Sequence, residues 1–154
     1  MISTSILKTT INAELKAHGF LRKGSNWYLS CEEVVVVVNL QKSNYSALYF
    51  LNLGFWLQQV EQMQYPRSEQ CHIHNRASSL YPDGNPRIAD LLNVDEFPYD
   101  EDQRITEIQQ FISVKLIPLL LKGSTVSGLK KMLSENSGYA IRVVAQECLG
   151  LEMN

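Results

Sequence analysis

The sequence predicts an α+β fold: one domain in which an antiparallel sheet of about four strands packs against an N-terminal helix and C-terminal helices. Three observations carry that prediction. Leu7, Ile11 and Leu15 recur at helical spacing near the start, strand-like segments follow one another from Trp27 to Leu80 with no helix between them, and the final third returns to a helical period.

From Thr4 to His18 the polar Lys8, Glu14 and Lys16 fall off the apolar stripe, which is the pattern of an amphipathic helix. Ser3 or Thr4 suits its cap, and Gly19 suits the left-handed position that ends it. "FLRKGSNWYLS" then supplies a basic turn at Lys23-Gly24-Ser25 and a short strand through Trp27 and Leu29. Val34 to Val38 would crowd a helix but fit a pleated surface, so Glu33 to Lys42 reads as a strand. After the break "KSNYSA", Leu48 to Leu57 is its hairpin partner. The first half of the valine run is apolar on both faces, which places this strand centrally and covers both its sides for part of its length.

Residues 58–70 contain Pro66 and no firm apolar period, so they read as a connection, and "CHIHNRASSL" follows as the fourth strand of a meander. "YPDGNPRIADLLNVDEFPYDED" joins prolines, Asp83-Gly84 and an acidic cluster in a long surface excursion, a length that often carries function. Ile105, Ile108, Phe111, Ile112, Leu116, Leu119 and Leu120 restore the helix period behind Asp100, Glu101 and Asp102, whose charges favour a helix start. Pro118 falls inside that pattern and predicts a kink or an end near Ser113 to Lys115. "GSTVSGLKKMLSEN" reads as a shorter helix capped by Ser124 or Thr125, and Ile141, Val144, Ala145, Cys148 and Leu149 mark a last one.

At 154 residues one core is expected, and a net charge of −2 supplies no global positive field to collect nucleic acid or an anionic membrane. The first residues show no basic region, apolar core and cleavage site in series, and no window reaches the ~18 apolar residues of a membrane span. The chain reads as cytoplasmic. Cys31, Cys71 and Cys148 are odd in number, widely spaced and outside any CxxC pair, which argues against a disulfide framework and a zinc knuckle.

Chemistry enters with "EEVVVVVNLQKSNYSALYFLNLGFW", which places Asn39, Gln41 and Asn52 among large apolar residues. Burying a carboxamide unpaired costs ~1–3 kcal/mol, so each needs a structural partner or a ligand. Alternation puts Asn39 and Gln41 on one strand face, and His72, His74 and Arg76 likewise. If the hairpin loop holds an even number of residues, Asn39 and Gln41 share their face with Phe50, Asn52 and Gly54. Gly54 would leave room there for another group's close approach. The face is either a satisfied amide network that fixes strand register or the floor of a pocket.

His72 and His74 could chelate an ion from alternate positions, but Arg76 beside them opposes a cation, and the nearest carboxylates, Glu69, Asp83 and Asp90, lie in loops. No metal is expected. Cys71 and His72 are adjacent on a strand and point to opposite faces, so they cannot form a nucleophile–base pair with each other. No GxSxG elbow, phosphate-cradling glycine loop or HExxH helix occurs. Arg22-Lys23 at its turn is either solvated or a site for a carboxylate or phosphate, which an arginine fork suits.

Taken in order, "HGFLRKGSNWY", "VVVVVNLQKSNYS", "YFLNLGFW" and "CHIHNRASSL" resemble the bacterial family called domain of unknown function 4304. Its pattern is a Gly-Phe with a basic pair and glycine, a hydrophobic strand ending in Gln-Lys-Ser, an Asn-x-Gly strand and a His/Arg strand. Here these are Gly19-Phe20, Arg22-Lys23-Gly24, Gln41-Lys42-Ser43, Asn52-Leu53-Gly54, and His72 with Arg76. The likeness covers about the first 80 residues; the tryptophan pair that members often carry downstream is absent after Asp83. The resemblance implies no established reaction and no cofactor, and it implies that Gln41 and Asn52 serve a task shared with the family. Proteins of this sort are sometimes associated with toxin and immunity loci.

The expectation is therefore a non-enzymatic module that binds a protein partner, of the immunity or adaptor kind, with the acidic Asp95 to Asp102 segment available to a basic surface. The candidate residues are Asn39, Gln41, Lys42, Asn52, His72, His74, Arg76 and Arg22. The alternative is a small-molecule sensor or enzyme whose pocket is lined by Asn39, Gln41, Asn52 and His74, with Arg22 or Arg76 pairing an anionic group. A deep pocket with converging amide and imidazole groups favours that alternative, and a shallow patch favours a partner protein.

Overall fold

The valine run lies inside a six-stranded antiparallel sheet, covered on both faces, as its two-sided apolarity requires. The computed structural model describes residues 4–83, 87–95 and 100–151. The elements in order are α1 (Thr4–Ala17), β1 (Leu21–Lys23), β2 (Asn26–Ser30), β3 (Val34–Lys42), β4 (Tyr49–Leu57), a 3₁₀ turn (Ser68–Gln70) and β5 (Ile73–Arg76). They continue with α2 (Ala77–Leu80), α3 (Ile88–Leu91), α4 (Glu101–Gln110), a π-helical segment (Phe111–Leu116), α5 (Ile117–Lys122), α6 (Val126–Glu135), β6 (Ala140–Ile141) and α7 (Val143–Leu149). The strands lie in chain order from β1 to β6, with every neighbouring pair antiparallel.

The sheet has six strands where the sequence pattern suggested about four. Leu21–Lys23 turns back on β2 through Gly24, whose φ of +63° suits the tight hairpin turn that the dipeptide Gly-Ser builds. Strand β6 is a two-residue addition beside β5. The predicted fourth strand stops at Arg76, and Ala77–Leu80 is a helical turn with Ala77 buried. α1 ends where Gly19 takes φ +89°; Ser3, its other suggested cap, lies outside the described residues.

Val34 to Val38 are fully buried, each contributing on the order of 1.5–3 kcal/mol by leaving water. Val34, Val36 and Val38 join Trp27, Leu51, Leu53, Phe55 and Leu57 on the inner face, against Leu7, Ile11 and Leu15 of α1 and Ile108, Ile112, Leu116 and Leu120 of the C-terminal helices. Val35 and Val37 face the other way, into a small cluster with Tyr28, Trp56 and Cys71, roofed by Met63 and Tyr65 of the 58–70 connection.

Two further differences have plain physical causes. The described part of the excursion after Tyr81 is anchored as well as exposed, because Ile88, Leu91, Leu92 and Val94 are buried and Asn93 bridges to Leu48, while residues 96–99 of the acidic Asp95 to Asp102 segment lie outside the described residues. Pro118 does not end its helix, and the break in regular α geometry falls where the proline predicts it. The backbone widens to π geometry over Phe111–Leu116, immediately before the proline that lacks an N–H, and then runs on as α5. Asp100 accepts from the Gln103 N–H at 2.7 Å to cap α4, and Thr125 rather than Ser124 caps α6. No single helix among the described residues is long and apolar enough to cross a membrane.

Candidate functional site

Strand register assembles the outer face of the sheet row by row. Asn39 pairs directly with Asn52, across a hairpin whose loop spans residues 43–48, and Gln41 pairs with Phe50. Asn39 also opposes Asn26 on β2, and Asn52 opposes Arg76 on β5, so Lys23, Asn26, Asn39, Asn52 and Arg76 form one row across five strands. In the next row Tyr28, Val37, Gly54 and His74 follow one another, ending at Ala140. Facing residues of such rows lie about 5 Å apart, within reach of a carboxamide.

The amides bond to one another in one direction. Asn52 donates from Nδ2 to Asn39 Oδ1 at 2.9 Å, and Asn39 donates in turn to Asn26 Oδ1 at 2.7 Å. Asn52 also donates to Gln41 Oε1 at 2.9 Å. Both Asn52 N–H groups are thereby used, and donation of that kind strengthens the amide's own oxygen as an acceptor. Asn52 Oδ1 and Gln41 Nε2 make no hydrogen bond among the described residues. The chain therefore ends with one acceptor and one donor unused among the described residues.

These ends open into a cleft of about 580 Å³. Its floor is Asn39, Gln41, Asn52, His74 and Arg76; Ser68 and Glu69 form one wall, and Asn75, Gly138 and Ala140 the other. The guanidinium of Arg76 lies over the Phe50 ring, 4.0 Å from its centre, and makes no ion pair among the described residues. Stacking leaves its edge N–H groups available to an anion. Glu69 is paired with Arg67 at 3.4 Å. Arg142 holds the backbone of that wall, donating from Nη2 to Glu69 O at 3.1 Å and from Nε to Cys71 O at 3.3 Å. The opposite wall is tied by the Asn75 amide donating to Gly138 O.

Asn39, Gln41, Asn52, His74 and Arg76 are thus brought together, and three other candidates are not. Lys42 is exposed at the end of β3, one residue out of phase with Gln41 and so on the other face. Arg22 alternates away as well: it stands over the Trp27 ring at 5.5 Å and donates to Gly24 O at 2.9 Å. The basic residue of that pair in the amide row is Lys23, whose ammonium sits 4.3 Å above the Tyr65 ring.

His72 precedes β5 and is only 4% exposed. Its ring lies 4.2 Å from Trp56, and its Nδ1 accepts the Leu57 N–H at 2.9 Å. Burial, with the nearby Arg142 charge, lowers its pKa, so the imidazole is held neutral. The two histidines therefore do different work. No group of three or more His, Cys, Asp or Glu suited to a metal occurs among the described residues.

Gly54 makes room for the protein itself. A Cβ there would come within 2.7 Å of Cys71 Sγ and 3.1 Å of Ser68 Cα, so the glycine seats the 3₁₀ turn on the sheet and fixes the cleft wall. Cys71 is fully buried by this packing, and desolvation pushes its thiol up to about 12, which withdraws it from nucleophilic chemistry. Ser68, Glu69, Asn75, Gly138 and Ala140 were not foreseen as lining residues; the glycine at position 54 was the one local sign that a segment returns there.

Comparison with known families places this geometry. The model of a family described as a domain of unknown function, DUF4304, matches residues 11–122. The chain belongs to the DUF4304 family. The match extends well past the first 80 residues, from within α1 through the π-helical segment to the end of α5. The DUF4304 region contains the amide row, Arg76 and the Ser68–Glu69 wall, whereas the wall at Gly138 and Ala140 comes from residues beyond it. Searches of curated proteins and of solved structures returned no match.

Proposed function

We propose that this DUF4304 protein is a binding module and that the amide cleft is its recognition site, for a carboxylate or phosphate group flanked by a hydrogen-bond donor. The observation that carries this reading is the end of the amide chain, Asn52 Oδ1 and Gln41 Nε2, unbonded among the described residues, beside an Arg76 guanidinium stacked on Phe50 that has no ion-pair partner among them. Arg76 and Gln41 suit the anion, and Asn52 Oδ1 suits the adjoining donor. The Cys71 thiol and the His72 ring beside the cleft are both withdrawn into packing, which removes a thiol nucleophile and leaves His74 on the floor as a hydrogen-bonding group for an occupant.

The group could be carried by a small metabolite or by an acidic side chain of a protein partner, the latter being the immunity or adaptor case. Both would place the same anion on Arg76. The test is capture of the tagged protein from native lysate, with mass spectrometry of co-purifying proteins and of small molecules, in parallel with Arg76→Met. The expected result is a stoichiometric occupant in the wild type, reduced at least tenfold in the variant. A small molecule assigns the cleft to sensing; a protein partner assigns it to an interface. Retention unchanged by Arg76→Met, or no occupant in the wild type, rejects the cleft as the recognition site.

A further inference from the structure

Charge and donor count narrow which anion the amide cleft can take. Arg76 is the only lysine or arginine among the described lining residues, and Glu69 the only aspartate or glutamate. A phosphate monoester brings a charge of about −1.5 to −2 and three acceptor oxygens. One guanidinium, in a lining that also carries an acid, matches neither. A planar carboxylate matches the Arg76 fork, which lies flat over Phe50 at 4.0 Å from the ring centre and presents its edge. The strand end that carries this fork is held in place: Asn75 Oδ1 accepts the Arg76 N–H at 2.8 Å, and the same amide donates to Gly138 O in the wall.

The unused amide atoms narrow the neighbouring group. Asn52 spends both N–H groups on Asn39 and Gln41, each at 2.9 Å, and its Oδ1 is unbonded among the described residues. Asn52 is half-buried, yet the Tyr139 hydroxyl is the only fully buried side-chain nitrogen or oxygen without a partner among those residues. Asn52 Oδ1 therefore keeps contact with solvent, where an occupant can meet it. Asn52 stands directly across from Arg76 in the strand register, a spacing of about 5 Å between the bases of the two side chains. A neutral amide oxygen suits one N–H. An ammonium would bring three donors to that single acceptor, and the guanidinium beside it would repel the charge.

We infer that the cleft takes an N-acylated α-amino carboxylate, with the carboxylate on Arg76 and Gln41 Nε2 and the acylated N–H on Asn52 Oδ1. This inference rests on the amide cleft being the recognition site and names the chemistry it reads. The same group occurs in an N-acylated amino acid and at the C-terminus of a peptide chain. The cleft, at about 580 Å³, is larger than that group alone requires, so the side chain or the preceding residues extend toward Ser68, His74 and Ala140.

The test is titration of the whole nitrogen-labelled protein, followed through the side-chain amide resonances of Gln41 and Asn52, for wild type and Arg76→Met. The probes are N-acetylalanine, acetyl-lactate in which an ester oxygen replaces the N–H, N-acetylalaninamide which lacks the charge, free alanine and inorganic phosphate. N-acetylalanine is expected to shift both resonances saturably and to bind more tightly than any other probe. Acetyl-lactate should bind about three- to tenfold more weakly, the loss of one neutral hydrogen bond. N-acetylalaninamide on wild type, and N-acetylalanine on Arg76→Met, should each be weaker by about tenfold or more.

Acetyl-lactate bound as tightly as N-acetylalanine, or alanine or phosphate bound more tightly, overturns the inference and leaves an anion site at Arg76. No saturable shift with any anion, or shifts indifferent to Arg76→Met, overturns the recognition site itself. Acetyl-glycyl-alanine separates the two sources. Tighter binding than N-acetylalanine assigns the cleft to a peptide C-terminus, and equal or weaker binding assigns it to an acylated amino acid.

Discussion

Asn39 is the member of the amide chain that both donates and accepts, which makes it the costliest to remove. Replacing it by leucine leaves Asn26 Oδ1 and one Asn52 N–H without their partners, both half-buried. Stability to urea should fall by about 1–2 kcal/mol. Gln41→Leu removes a single acceptor at an exposed position, and should cost less than about 0.5 kcal/mol. Equal losses would show that the amides do not act as a chain. At this scale the sequence was informative: strand alternation grouped Asn39 with Gln41 and His74 with Arg76, and an even loop would add Asn52 to the first pair, while the register that joins the two groups comes from the pairing of β4 with β5. What they could not separate was His74 from His72, since a period of two treats both alike. The difference comes from residues 58–71 folding over Trp56, a contact with no local signature.

Among the elements, long periodic segments were legible and short ones were not. β1 is exposed at all three residues, and β6 contains two residues with no burial pattern, so neither carries an alternation to read. Both exist because a neighbouring strand offers its edge. The start of α6 shows how such context reverses a propensity. Gly128 sits inside that helix, where alanine ordinarily gains about 1 kcal/mol. Here a Cβ would stand 1.9 Å from the Lys122 carbonyl oxygen at the end of α5, and that backbone cannot turn aside. Gly128→Ala is therefore expected to destabilise by about 2 kcal/mol or more in chemical denaturation. A stabilised variant would show that α5 and α6 are free to separate.

For the molecule as a whole, the division of the outer face into a sealed half and an open half is the feature on which the cleft depends, and His72 stands at the seam. Its Nδ1 accepts the Leu57 N–H only while unprotonated, and its ring fills the space beside Trp56. Burial lowers its pKa, Arg142 adds to the lowering, and Glu61 opposes it in part. The unfolded chain, with an ordinary histidine near 6.5, therefore binds the proton more readily than the fold does. His72 contributes its full stability above that pH, and the contribution declines as pH falls from about 6.5 toward the lower folded value. Unfolding free energy measured between pH 7 and pH 5 should fall with acid, and His72→Asn, which keeps an acceptor for Leu57, should flatten that slope while lowering the neutral-pH value through lost packing on Trp56. An unchanged slope would place the acid sensitivity elsewhere. Because only Cys71 separates His72 from the 3₁₀ turn that carries Ser68 and Glu69, protonation acts next to the segment that walls the cleft. Any occupant that touches this wall should therefore be held more weakly over the same pH interval, and His72→Asn should remove that part of the loss.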